Sequence, residues 1–207
     1  MIQNIIFDFD GVILDSMPIR ELGFRSIFAD YGASHVEQLL AYHEANGGLS
    51  RYIKIAYFYE EILKKPVSQS KIDSLAEAFS QIMRKKLTDR DYLIMQTVDF
   101  LKCNHRHYQI HIASGSDQNE LRYLCGELGI ADYFLSIHGS PTHKNDLVAM
   151  ILSEHSYAKE ETILIGDSMN DYIAADTNGI AFYGYNNTIL ENVSQRYLDD
   201  YRLLERE

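Results

Sequence analysis

Apolar and polar positions keep two different rhythms along this chain. Residues 4–9, NIIFDF, form a short run rich in Ile and Phe, which predicts a buried strand. From 16 to about 89 no convincing strand follows. Apolar residues there recur at helical spacing and predict helices over 17–31, 36–45, 51–63 and 72–87. The stretches NGG at 46–48 and KKPVSQS at 64–70 punctuate them, and Ser50 and Ser70 stand where N-caps are expected. Beyond 89 the rhythm alternates. Helices expected over 94–104, 118–128, 144–155 and 170–176 precede, in turn, the apolar runs YQIHIAS, YFLSIH, TILIGD and GIAFYG.

Short apolar strands alternating with helices predict an α/β core: a central parallel sheet with helices on both faces, three layers in all. The first strand is separated from its sheet partners by an all-helical insert of about 75 residues, a size that suits a small subdomain. The expected division is a core of 1–15 and 90–207, interrupted by a helical subdomain of 16–89. The tail QRYLDDYRLLERE reads equally as a last helix or as frayed chain.

Composition narrows the partners. The 207 residues include 30 acidic and 19 basic side chains, a formal net charge of −11. Such a chain repels nucleic acid and anionic membranes, so neither is an expected partner. An anionic substrate must be held by a few placed cations, a metal ion or helix N-termini. The start, MIQNIIFDFD, lacks a basic region, has a short apolar run and carries two aspartates, so it does not read as a signal peptide. No stretch reaches the roughly 18 apolar residues of a membrane span. Cys103 and Cys125 are the only cysteines, which fits a reducing, cytoplasmic setting.

In a parallel α/β sheet, ligands bind beyond the carboxyl ends of the strands. Asp8, Asp10 and Gly11 follow the first expected strand; Ser114, Gly115 and Ser116 follow the second. HGSPTHKND, with Lys144, follows the third; Gly166, Asp167, Ser168 and Asp171 follow the fourth. Three carboxylates in one crevice repel each other unless a cation joins them. Hard oxygen ligands suit Mg²⁺. A phosphate would be drawn to that metal, to Lys144, to the Ser114 hydroxyl and to backbone N–H groups at the helix starts. A carboxylate oxygen can then attack phosphorus to give an aspartyl phosphate. Residues i and i+2 of a strand project to one side, so Asp8 and Asp10 can address one phosphate, one as nucleophile and the other as proton shuttle. Gly11 permits a sharp turn close to the ligand.

Together DFDGVILDS, Ser114, Lys144 and GDSMND resemble, in order and spacing, the four motifs of the haloacid dehalogenase superfamily. The resemblance spans Asp8 to Asp171 and implies a Rossmann-like core with a helical cap. It also implies roles. Asp8 would be nucleophile and Mg²⁺ ligand. Asp10 would protonate the leaving oxygen, activate the water and bind the metal through its carbonyl. Ser114 and the Gly115 N–H would hold phosphate. Lys144 would neutralise charge, Asp167 would ligate Mg²⁺, and Asp171 would support the site. An aspartate at position 10 points to phosphorus chemistry and away from dehalogenation. Gly166 replaces the second acid usual in β-phosphoglucomutases, and Arg20 replaces their cap histidine.

The expected activity is a Mg²⁺-dependent phosphatase acting on a small phosphorylated metabolite, similar to phosphoglycolate and sugar-phosphate phosphatases. A phosphomutase, or a phosphate-binding regulatory module without useful turnover, are the alternatives. DSMP and the region 88–91 would be hinges.

Arg51 and Lys54, on the helix after NGG, would either hold the leaving group or form a solvated face. Gly47 and Gly48 would turn into the site. Tyr52, Ile55, Tyr59 and Ile62 recur at helical spacing and are expected cap core. Taken singly, Ser114 also reads as an N-cap, Lys144 as a surface lysine and Asp167 as a helix cap. Cys103, His105, His107 and His111 resemble a zinc set in composition, but their spacing crosses a helix end and a strand, which argues against one.

Overall fold

The computed structural model describes residues 1–193 and 196–206. Strand β1 (Asn4–Phe7) is buried along its whole length. Of the five α-helices before the next strand, the first four are α1 (Met17–Ile27), α2 (Ala33–Ala45), α3 (Arg51–Tyr57) and α4 (Gln69–Lys86). A π-helical turn, Phe58–Ile62, prolongs α3, which accounts for the single helix expected there. The remainder alternates: α5 (Met95–Asn104), β2 (Gln109–Asp117), α6 (Gln118–Glu127), β3 (Ser136–Ser140), α7 (Lys144–Glu154), β4 (Thr162–Gly166), α8 (Met169–Asn178), β5 (Ala181–Tyr185) and β6 (Tyr197–Leu198).

All strand pairs are parallel, in the order β3-β2-β1-β4-β5-β6. β1 lies between β2 and β4, with Phe7 opposite both Ile112 and Ile165. Alternate residues feed opposite faces. Ile5, Phe7, Ile112 and Ile165 join the core that includes Phe100 of α5 and Leu121 of α6. Ile6 and Leu164 join a second core with Leu147 and Ile151 of α7 and Ala174 of α8. A sheet covered on both sides must be apolar on both sides, which is why these strands read as continuous hydrophobic runs.

The inserted helices extend the first of these cores with aromatic residues, among which Phe24, Phe28, Phe58 and Phe79 are fully buried. Ile55 and Tyr59 are buried there, and Tyr52 and Ile62 pack half-buried against it. The two chain crossings between the insert and the sheet run side by side. Asp15 N donates to Tyr92 O at 2.8 Å, and Ile94 N donates to Ile13 O at 2.9 Å.

Several boundaries move for local reasons. Ser50 caps α3 by accepting from Ile53 N, but Ser68 caps α4; Ser70 lies inside its first turn. Asp117, accepting from Asn119 N and Glu120 N, caps α6, so Ser114 is not that cap. Ser168, in a capping box with Asp171, starts α8, so Asp167 does not cap it. The tail adds β6 to the sheet edge and a 3₁₀ turn, Tyr201–Arg206, that buries Tyr201 and Leu204. Gln195 and Glu207 lie outside the described residues. Among the described residues, no helix is long and apolar enough to cross a membrane.

Candidate active site

The sheet brings the four strand ends to one rim. Asp8 stands immediately after β1, Ser114 to Ser116 occupy the last part of β2, Lys144 opens α7, and Asp167 follows β4. The turn after β1 depends on Gly11, whose φ is +74°, a left-handed conformation that side chains resist. An added methyl there would also overlap the Asp167 carboxylate. The Gly11 N–H is taken by Leu14 O at 2.8 Å, within the turn itself.

Asp8, Asp167 and Asp171 each offer a carboxylate oxygen within 4.8 Å of the others. Lys144 joins two of them: its Nζ is 3.0 Å from Asp8 Oδ1 and also pairs with Asp171. Asp8 Oδ1 further accepts from Phe9 N at 2.7 Å. Both Asp171 oxygens are occupied, one by Lys144 and the other by Ser168 N at 3.0 Å and Ser168 Oγ at 2.6 Å. Among the described residues, no donor hydrogen-bonds the Asp167 carboxylate.

The electrostatics follow. Burial, then neighbouring Asp171, pushes the Asp8 carboxyl up from 3.8 to about 7. Burial, then Asp8 and Asp171, raises Asp167 well above its ordinary value. Burial opposes the charge on Lys144, but Asp171 and Asp8 override it and hold the ammonium protonated. One lysine against three clustered carboxylates leaves negative charge unmatched, and an oxygen donor set with a bare Asp167 fits a hard divalent cation such as Mg²⁺.

A pH dependence follows for the metal-free protein. A carboxyl whose folded pKa exceeds its unfolded value stabilises the fold at low pH, and that contribution fades as pH rises. Here the window runs from 3.8 to about 7. Mg²⁺ competes with the same proton. Its stabilising shift in Tm is therefore expected to be small near about pH 5 and larger near about pH 7.5. Asp167→Asn is expected to remove most of that shift. Thermal denaturation with and without Mg²⁺ checks both; a shift independent of pH would rule out binding by these carboxylates.

Asp10 belongs to a different set of contacts. β1 ends at Phe7, so strand alternation does not extend to Asp10, yet Asp8 and Asp10 line one cavity. Asp10 Oδ1 accepts from Arg20 Nε at 2.7 Å and from the Ser16 hydroxyl, and Oδ2 accepts from Ser116 Oγ at 2.5 Å. Burial alone would raise this carboxyl; Arg20, Ser116 and Ser16 override it and hold it below its ordinary value.

The inserted helices roof the cavity. Arg51 and Lys54 are 4% and 2% exposed and line it, which overturns the solvated-face alternative. Arg51 is paired with Glu120 of α6. Lys54 Nζ donates to His43 Nδ1 at 2.8 Å and to Gly47 O at 3.2 Å. Burial, then Arg20, lowers Lys54 to about 7, and burial with Lys54 lowers His43 to about 3, so His43 is neutral. Gly48 and Gly115 meet backbone to backbone: a methyl on Gly115 would overlap the Gly48 carbonyl. The Ser114 Oγ accepts from Ser116 N at 3.2 Å beside that contact.

His43 and Glu120 are not among the residues the sequence singles out, and it places Ser16 in a hinge and Ser116 at a strand end without pairing either with Asp10. His43 sits within an ordinary helical run, and Glu120 looks like any acid in a helix's first turn. Nothing local marks Glu120, whose partners Arg20 and Arg51 are 100 and 69 residues away. His111 is engaged by Ser136 and Tyr157, while Cys103 is exposed; the two serve separate surroundings.

Known proteins resemble this chain in sequence or in fold. The chain is 25% identical over 195 residues to a phosphoglycolate phosphatase of Vibrio vulnificus (strain YJ016), covering 89% of this chain and 86% of that one. A 5′-nucleotidase of Pseudomonas aeruginosa is 29% identical over 84 residues, 38% of each chain. The β-phosphoglucomutase of Clostridium difficile superposes with a TM-score of 0.79 at 18% identity, covering 100% of this chain and 96% of that one. CbbY of Rhodobacter sphaeroides, in complex with xylulose-1,5-bisphosphate, superposes at 0.78 with 19% identity, covering 97% and 95%. The model of the haloacid dehalogenase-like hydrolases matches residues 5–185, and with the sheet order, the helical cap and the aspartate cluster this places the chain in that family.

Proposed function

We propose that this hydrolase is a Mg²⁺-dependent phosphatase that acts on a small phosphomonoester through an aspartyl phosphate on Asp8. The observation that carries the reading is the arrangement around Asp8. Its Oδ1 is fixed by Phe9 N–H and Lys144, it clusters with Asp167 and Asp171, and it faces a roofed cavity. Among the described residues, nothing hydrogen-bonds its Oδ2, which leaves that atom for phosphorus. The phosphatase and nucleotidase relatives support a phosphomonoester as the substrate.

Asp8, Asp167 and the Asp10 carbonyl would hold Mg²⁺, with Asp171 positioning Lys144. The bound ion would supply charge neutralisation for the phosphate oxygens. Lys144 adds a second positive charge at Asp8 and the phosphate. The Ser114 hydroxyl and Gly115 N–H hold the remaining phosphate oxygens. Attack by Asp8 forms a P–O bond as the bond to the leaving alcohol breaks. Asp10 hands a proton to that alcohol, the proton arriving with a monoanionic ester. As a carboxylate it then takes a proton from the water that cleaves the aspartyl phosphate. Arg20 and the two serines hold it ready for this second half. Residues 16–89 form the cap, which excludes bulk water while the intermediate exists. The paired crossings near Asp15 and Tyr92 are its hinges.

Gly166 favours hydrolysis over mutase chemistry. A side chain there would overlap Asp171, so a second acid before Asp167 has no room. The test is a phosphate-ester panel, including sugar phosphates, phosphoglycolate and p-nitrophenyl phosphate, with and without Mg²⁺. Metal-dependent release of free phosphate is expected. Isomerised sugar phosphate without release would make the protein a mutase. Binding without turnover would make it a phosphate-binding module.

A further inference from the structure

Three cations of the cap face the cavity, and two of them are already matched from inside the protein. Arg51 grips Glu120 with both terminal nitrogens, at 2.5 Å to Oε2 and 2.8 Å to Oε1, and also donates to Ser80 Oγ at 2.7 Å. Its guanidinium lies over the Phe79 ring, 4.6 Å from the centroid. Arg20 donates from Nη1 to Glu120 Oε1 at 3.1 Å and from Nε to Asp10 Oδ1 at 2.7 Å. The side chains of Arg20, Arg51 and Glu120 are 6%, 3% and 0% exposed. Glu120 comes from the core helix α6, so a core carboxylate reaches up to two cap arginines.

Among the described residues, the third cation, Lys54, hydrogen-bonds only to the neutral His43 and the Gly47 carbonyl, and burial brings its pKa near 7. Three cations against the two carboxylates of Asp10 and Glu120 leave at most one positive charge on the leaving-group side. Met17, Phe24 and Leu49 supply apolar lining there.

We propose that Glu120 is a specificity-determining residue, which occupies the two cap arginines from within and fits the cavity to a neutral or singly charged leaving group, against one bearing a second phosphate. The inference rests on the phosphatase reading. A second phosphate would bring about two negative charges into a desolvated space that offers one unmatched cation. Arg20 Nη2 is buried without a hydrogen-bond partner among the described residues and could donate to a ligand, but to gain the charge of the two arginines a second phosphate would have to displace Glu120 and strand that carboxylate, a repulsive contribution to selectivity.

The experiment compares kcat/KM for a hexose monophosphate and the corresponding bisphosphate, with p-nitrophenyl phosphate as a generic ester, all with Mg²⁺. The wild type is expected to favour the monophosphate by at least about tenfold. Glu120→Gln, which keeps the shape and removes the charge, is expected to move the bisphosphate-to-monophosphate ratio upward by about tenfold or more. A merely structural role would lower both rates together and leave the ratio in place. Equal use of both esters by the wild type, or an unmoved ratio in a variant that melts as the wild type does, would overturn the proposal. If Glu120→Gln does not fold, Glu120→Asp withdraws the carboxylate by one methylene; its ratio is expected to rise too, and an unmoved ratio again overturns the proposal. Turnover of p-nitrophenyl phosphate with an unmoved ratio removes this inference alone. No Mg²⁺-dependent turnover of any ester removes the phosphatase reading, and the inference with it.

Discussion

Asp8→Asn is expected to lower Mg²⁺-dependent turnover of p-nitrophenyl phosphate by a factor on the order of 10⁴ or more, because it removes the atom that attacks phosphorus. The amide is nearly the same size, so the rim around it should persist. The variant also carries a distinct stability signature. Asp8 is held up at about 7 by burial and by Asp171, so its charge is unfavourable to the fold above that pH. Removing the charge should leave the metal-free protein at least as stable as the wild type near about pH 7.5, an exchange of stability for activity. Steady-state kinetics and thermal melts without metal check the two halves together. Full metal-dependent activity in Asp8→Asn would disprove the nucleophile assignment.

Gly115→Ala should produce the second largest effect, a fall in kcat/KM of about 10²-fold for phosphate esters. The added methyl would lie where the Gly48 carbonyl now sits, so the cap loop must withdraw from the rim. Gly48 is hemmed in from the other side as well: a methyl on it would overlap the Ser168 hydroxyl and crowd Asn170. Gly48 and Gly115 line both the cavity over Asp8 and a neighbouring one, so their contact is the partition between the two. A displaced partition misplaces Ser114 and Gly115 relative to Asp8 and admits water. Because the two glycines meet at one contact, Gly48→Ala added to Gly115→Ala should cost less than the two effects multiplied together. Kinetics of the single and double variants test this; undiminished kcat/KM in Gly115→Ala would show that close cap docking is not needed for turnover.

Much of the core was readable because each layer obeys a local rule. The runs around Ile6 and Ile165 are apolar on both faces, as a strand covered on both sides requires, and their alternation with helices marks the sheet as parallel. The inserted helices carry a 3.6-residue stripe because they bury one face against one another. The ends of elements were less readable. Tyr133 reads as strand from its neighbours, but the backbone there turns in a 3₁₀ loop, and β3 begins at Ser136. Ser68 and Ser70 offer the same side-chain chemistry two residues apart, and only the path of the chain into α4 selects Ser68.

The linear order of residues determined the alternating core, the helical insert and which acids, hydroxyl and lysine stand at strand ends. Those features depend on periodicity and on the rule that a parallel sheet gathers its carboxyl ends on one rim. Tertiary structure alone decided how the charges pair. It set Asp10 against Arg20, turned Arg51 from a helix surface into a buried partner of Glu120, and left Lys54 beside a neutral His43. Charge pairing depends on distances between segments far apart in the chain and on the loss of water between them. Neither quantity is written in any local stretch of sequence.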